Sequence, residues 1–172
     1  MVKSSLKLGI ILLLICAVST GLLAYVNMLT APVIAENTLK QQSEARQEVL
    51  SSAVSFDDLG DSVFKGKDAN GNTVGYAVSV TPSGYGGAIS MIVGVNEDLT
   101  ISGVKILSMS ETPGLGAKAQ DDKFLSQFVG KGASMELKKD INAITGATIT
   151  STAVTKGVKE AINLAESKGG KK

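Results

Sequence analysis

Histidine is absent from the 172 residues, cysteine occurs once, and aromatic residues make up only 4%. Without imidazole, Ser-His and Cys-His nucleophilic catalysis and zinc-His sites are excluded. The lone Cys16 forbids an internal disulfide and any Cys-rich metal or iron–sulfur site, and no metal site is expected. An excess of either charge is missing too. Seventeen Lys+Arg stand against sixteen Asp+Glu, a net +1, so no long-range field recruits a polyanion. With few stacking platforms as well, nucleic acid is not an expected partner. Chemistry here rests on hydroxyls, carboxylates, lysines, backbone groups or a borrowed cofactor.

The apolar content, 44% of the chain, is concentrated at one end. No charged residue lies between Lys7 and Glu36, and Leu8 to Val26 reads LGIILLLICAVSTGLLAYV. As a helix that run crosses a hydrocarbon core of about 30 Å. Lys3 and Lys7 precede it and the next basic residue is Lys40, which predicts a cytoplasmic N-terminus and an exported remainder. Tyr25 and Asn27 suit the outer interface. A cleaved signal peptide would have a shorter core and a small-residue cleavage site behind it. A lipoprotein would need a small residue before Cys16, where Ile15 stands. A buried helix of a soluble domain would need a cover on every face. An uncleaved anchor within residues 8–29 fits best.

Without Lys3 and Lys7, fifteen basic residues remain against sixteen acidic ones in the exported part. Pro32 is expected to break or kink the chain. Residues 33–53 then read as a helix, with Leu39, Ala45, Val49 and Leu50 as its spaced apolar positions. Alternation and glycine follow: 74–80, 88–95 and 101–107 read as strands of an antiparallel meander. Turns are expected at Asp68-Ala-Asn-Gly, Pro82-Ser-Gly-Tyr-Gly-Gly and Asn96-Glu-Asp. Asp121 to Val129 reads as a short helix capped by Asp121, with Phe124, Leu125 and Phe128 apolar. A last helix spans about Ser151 to Glu166, with Val154, Val158, Ala161, Ile162 and Ala165 on one face. The Lys-Gly-Gly-Lys-Lys tail, 168–172, is expected to fray. The fold class is therefore α+β, one transmembrane helix followed by a domain with an antiparallel sheet and flanking helices.

Three motifs bear on function. Gly114-Leu-Gly-Ala-Lys-Ala matches the dinucleotide fingerprint, but Glu111-Thr112-Pro113 and a meander are the wrong setting, and a tight turn is the better reading. Gly130-Lys131 lacks the upstream glycine of a P-loop. Thr145-Gly-Ala-Thr-Ile-Thr-Ser-Thr152 is the densest hydroxyl cluster and precedes the last helix. Such hydroxyls cap a helix, and the same helix N-terminus offers free N–H groups to a phosphate, with Gly146 and Ala147 keeping side chains clear. Physics alone leaves both open and favours capping.

At this cluster the sequence resembles the FMN-binding domain family, and within it the G subunits of the Rnf ion-translocating electron-transport complexes. Thr145-Gly146-Ala147-Thr148 meets the hallmark S/T-G-A-T, Glu111-Thr-Pro-Gly-Leu-Gly116 the E-T-P-G-L-G loop, and Gly84-Tyr-Gly-Gly-Ala-Ile89 a glycine-rich approach to a strand. The resemblance covers essentially the whole chain, single membrane anchor included. It implies FMN carried as a phosphoester on the Thr148 hydroxyl, with Thr145, Gly146, Ala147, Thr150, Glu111, Thr112 and Leu115 around it. Thr112 is expected as a polar contact and Leu115 as an apolar cover. It implies an electron-transfer subunit of a ferredoxin:NAD oxidoreductase, part of a translocase rather than a complete enzyme, with other subunits and membrane lipid as partners. Neither NAD nor ferredoxin is expected to bind directly. Asn142 stands where the family usually has Asp, six residues before the acceptor, in a region read by a flavin transferase; Asp140 lies two further back. The expected organisation is 1–29 cytoplasmic N-terminus and anchor, 30–60 juxtamembrane helix, 61–167 FMN-binding domain and 168–172 tail. The C subunit of the sodium-pumping NADH:quinone reductase shares the hallmark and is the near alternative; a non-redox anchored scaffold is the other.

Overall fold

The computed structural model describes residues 2–169. It divides into two compact units, residues 1–40 and 41–172. Helix α1 spans Val2–Val49. From Leu6 onward it holds a stretch long and apolar enough to cross a membrane, with none of that stretch buried in the protein. The reading as a core helix of a soluble domain therefore loses its basis. The break expected at Pro32 does not occur: the helix passes through it. Proline removes one donor from the helical ladder, and the residues on either side keep theirs. Leu39, expected on a packed face, is exposed.

In the second unit, five strands form one sheet in sequential order: β1 Ser55–Asp58, β2 Val63–Lys67, β3 Thr73–Val80, β4 Ser90–Asn96 and β5 Ile101–Ser108. Every neighbouring pair is antiparallel, the expected meander. β1 lies within the stretch anticipated as juxtamembrane helix, because α1 ends at Val49 and the chain turns back at once. The β2–β3 turn is held by Asp68, whose carboxylate accepts the N–H groups of Asn70 and Asn72 at 2.8 Å each. Hydrogen bonds from Asn72 hold that carboxyl below its usual pKa.

Strand alternation sorts the apolar side chains onto two faces. Tyr76, Val78, Val80, Met91, Val93 and Val95 belong to the main core, together with Phe128, Ile141, Val154, Val158 and Ile162. Ala77 and Ile92 face the other way, with Ala45 and Val49 from the end of α1. That second layer is thin because glycine lines it. Gly94 and Gly103 are register partners. A Cβ on Gly94 would collide with the carbonyl oxygen of Val49, and one on Gly103 would stand 3.1 Å from Val49 Cα. The Ser102 hydroxyl donates to that same carbonyl at 2.6 Å. Glycine in a strand commonly marks such a close backbone approach.

The main core is covered by α3, Thr148–Gly169. Val154, Val158, Ala161, Ile162 and Ala165, the face expected from periodicity, are all buried. Gly157 lets the helix approach Met91 and Pro82, against which a Cβ would clash. The regular helix expected over 121–129 is shorter: α2 is Asp122–Leu125, followed by a 3₁₀ turn at Ser126–Phe128. Asp121 makes no side-chain cap there. The Phe124 and Phe128 rings meet edge to face at 5.4 Å, so packing holds this segment. α3 begins three residues before the expected start and continues through Lys168, which pairs with Asp61 at 2.6 Å. Of the expected tail, 170–172 lie outside the described residues.

Candidate functional site

The hydroxyl cluster sits at the head of α3, and the backbone explains the sharp start. Gly146 takes φ +79, a left-handed conformation that glycine adopts freely. The Ala147 N–H donates to Ile144 O at 3.0 Å, and the Ala147 carbonyl accepts the N–H of Ser151 at 3.0 Å. Ser151 is wholly buried. Its hydroxyl donates to Ala147 O at 2.9 Å and accepts the N–H of Ile144 at 3.0 Å. The serine thereby pins the turn to the helix. The capping expected of the cluster does not form: among the described residues no hydroxyl in it accepts from the first-turn amides. The N–H groups of Thr148, Ile149 and Thr150 have no partner among the described residues.

Those amides open onto a hollow of about 520 Å³ lined by Tyr85, Glu111, Thr112, Leu115, Gly116 and residues 146–150. The volume lies in the usual range for a cofactor or small-ligand site. No lysine or arginine lines it, and the first turn of α3 carries no acidic residue. The positive pole here is the helix end itself, which favours an anion.

The hydroxyls around the hollow are unequal. Thr150 is buried and donates to Glu111 Oε2 at 2.6 Å. Farther along α3 and away from the hollow's lining, Thr152 and Thr155 donate to backbone carbonyls one turn back, Thr148 O and Ser151 O, both at 2.8 Å. The Thr148 hydroxyl is exposed and has no partner among the described residues. Thr145 lines a neighbouring hollow of about 490 Å³ with Lys118, Lys123, Gln127 and Asn142.

The Glu111–Gly116 loop forms the opposite wall. The Thr112 carbonyl accepts the N–H groups of Leu115 at 3.2 Å and Ala117 at 3.1 Å, and Gly114 has φ +77, so the loop is the tight turn expected of it. Leu115 is 44% exposed, and its Cδ2 lies 3.1 Å from where a Cβ on Gly146 would stand. The leucine thus reaches the turn that precedes Thr148. Two lining residues escaped the sequence reading, Tyr85 at 71% exposure and Ile149 at 57%. Tyr85 was legible: one of three tyrosines, set among Gly84, Gly86 and Gly87. The donor set fits a phosphorylated planar cofactor, with free amides for the phosphate and Tyr85, Leu115 and Ile149 as apolar surface for a ring.

Comparison with known proteins agrees with this geometry. The family described as FMN-binding domain matches residues 84–163, and the RnfG N-terminal region matches residues 1–49. The G subunit of the Na(+)-translocating ferredoxin:NAD(+) oxidoreductase complex of Acetobacterium woodii is 39% identical over 94% of this chain and 92% of its own. The G subunit of the proton-translocating ferredoxin:NAD(+) oxidoreductase complex of Clostridium ljungdahlii is also 39% identical, over 86% of this chain and 84% of its own. The crystal structure of Shewanella oneidensis NqrC, 23% identical, aligns over 69% of this chain and 70% of that one with a TM-score of 0.54, a likeness of fold. The chain belongs to the RnfG family of ion-translocating oxidoreductase complexes and carries that family's FMN-binding domain.

Proposed function

We propose that the protein is the electron-relay subunit of a membrane-bound ferredoxin:NAD oxidoreductase that moves ions, and that it carries FMN as a phosphoester on Thr148. One observation supports the acceptor above all. Of the two threonine hydroxyls that α3 brings to the hollow, Thr150's is committed to Glu111 and Thr148's is exposed and unpartnered among the described residues. The chain's own residues then divide the work. The amides of residues 148–150 hold the phosphate, and Gly146 and Ala147 give it room. Thr112 and Leu115 face the ring, with Glu111 and Thr150 behind them. FMN supplies what a chain without histidine or paired cysteines lacks, the transfer of one or two electrons. Covalent attachment keeps it from being lost.

In this reading α1 is a single anchor with its N-terminus in the cytoplasm, and the flavin domain works on the outer side against the complex's other subunits. Electrons arrive from and leave to those subunits. The equal identity to a sodium- and a proton-translocating relative fits a relay that leaves the choice of ion to its neighbours.

The full chain produced alongside a flavin transferase should show in-gel flavin fluorescence after denaturation. Thr148→Ala should lose it while the domain still folds, since an exposed, unpartnered hydroxyl contributes within about 0.5 kcal/mol to stability. Covalent flavin retained in Thr148→Ala would refute the acceptor; a colourless wild type would favour the scaffold reading.

A further inference from the structure

Glu111 is 8% exposed, a rare place for a carboxylate. Both its oxygens are used. Oε1 accepts the N–H of Gly86 at 3.0 Å, and Oε2 accepts the Thr150 hydroxyl at 2.6 Å. The two donors belong to different segments at the hollow: Gly86 to the arch that carries Tyr85, and Thr150 to the first turn of α3 that carries Thr148. Two glycines, Gly84 and Gly116, make room for its carboxylate. A Cβ on Gly84 would collide with Oε1, and one on Gly116 would stand 2.7 Å from Oε2 and 2.9 Å from Thr150 Oγ1. On Gly86 a Cβ would strike the carbonyl oxygen of Ser110. Glycines in two of the chain's motifs are thus accounted for by one buried side chain.

We propose that Glu111 is a positioning residue, a carboxylate tie that fixes the Tyr85 arch against the head of α3 and so sets the gap that a planar ring enters between Tyr85 and the Thr148 turn. This rests on the flavin reading above for its purpose, but the tie belongs to the chain alone. Each oxygen already has a partner within the chain, so Glu111 is held in place before any cofactor enters. Its influence on the ring is exerted through where it holds Tyr85. The Gly84 N–H to Gly87 O bond, 2.7 Å, closes the arch locally but does not link it to α3.

The test uses the full chain in detergent, made without a flavin transferase, and follows exchange of the Gly86 amide. If the tie is continuous, releasing it at one end frees the other. Thr150→Val, which keeps the shape and removes the donor, should speed Gly86 exchange about tenfold, the effect of losing one hydrogen bond to a charged group. Thr150→Ser should leave it at the wild-type rate. Glu111→Asp, one methylene too short to reach both donors, gives the same acceleration and serves if the valine variant folds poorly. Wild-type exchange of Gly86 in both Thr150→Val and Glu111→Asp would overturn the proposal. In flavin-bearing protein, Tyr85→Leu fixes the flavin fluorescence without the facing ring. Thr150→Val should move the wild-type fluorescence toward that value, and Thr150→Ser should not. An unmoved signal in Thr150→Val would overturn the link to the ring. A wild type that takes up no covalent flavin would sink the functional reading while leaving the exchange experiment intact.

Discussion

Spacing alone could not choose among Thr145, Thr148 and Thr150, which lie within six residues of one another. The structure distinguishes them: Thr150 is spent on Glu111, Thr145 lines the neighbouring hollow, and Thr148 lines this one with its hydroxyl unpartnered among the described residues. Family resemblance singled out Thr148 from the sequence. What the sequence does not reveal is that Thr150 is engaged, because its partner Glu111 lies thirty-nine positions away. Asn142 shows the same separation of backbone from side chain. Its N–H donates to Gln127 Oε1 at 2.8 Å, so the segment is pinned through the main chain, and its side chain is exposed. Asn142→Asp should therefore leave folding unchanged. If a transferase reads this position, the flavinylated fraction by mass spectrometry should rise, or stay complete where it already is. A marked fall would show that residue 142 does not correspond to the family's aspartate.

At the level of elements, β3, β4, β5 and the buried face of α3 were legible because their periods of two and 3.6 are regular. β1 and β2 were not. Ser55–Asp58 is a polar four-residue edge strand, and Val63–Lys67 has glycine at its fourth position. α2 came out short because three apolar residues satisfied a helical spacing that a 3₁₀ turn satisfies as well. The packing of the end of α1 was hidden in glycines that read as strand weakeners. Gly94 has that role reversed: its missing Cβ makes the contact with Val49 possible. Gly94→Ala should destabilise the domain by about 1–3 kcal/mol, as overpacking does. Ser102→Ala should cost about 1 kcal/mol through the orphaned Val49 carbonyl. Denaturant titration of both variants checks the order. A Gly94→Ala variant as stable as wild type would mean that α1 does not seat where β4 and β5 receive it.

For the whole molecule the first thirty residues carry the argument, and here the sequence was explicit, since a charge-free run from Leu8 to Ala35 has few other uses. Its direction rests on Lys3 and Lys7 alone. The chain supplies its own control for testing that direction. Cys16 is its one cysteine, exposed on the surface of α1 in the stretch that would lie in lipid, where a thiol is shielded from aqueous reagents. Ser167 lies exposed near the end of α3, its hydroxyl bonded only to Leu164 O of its own helix. In Ser167→Cys, a membrane-impermeant maleimide added to intact spheroplasts should label the protein, whereas wild type should remain unlabelled. The positive-inside rule requires that result, because an inside N-terminus and a single span leave the domain outside. Labelling of Ser167→Cys only after lysis would reverse the orientation and place the flavin domain in the cytoplasm. Labelling of wild type in intact cells would take Cys16 out of the bilayer and with it the anchor.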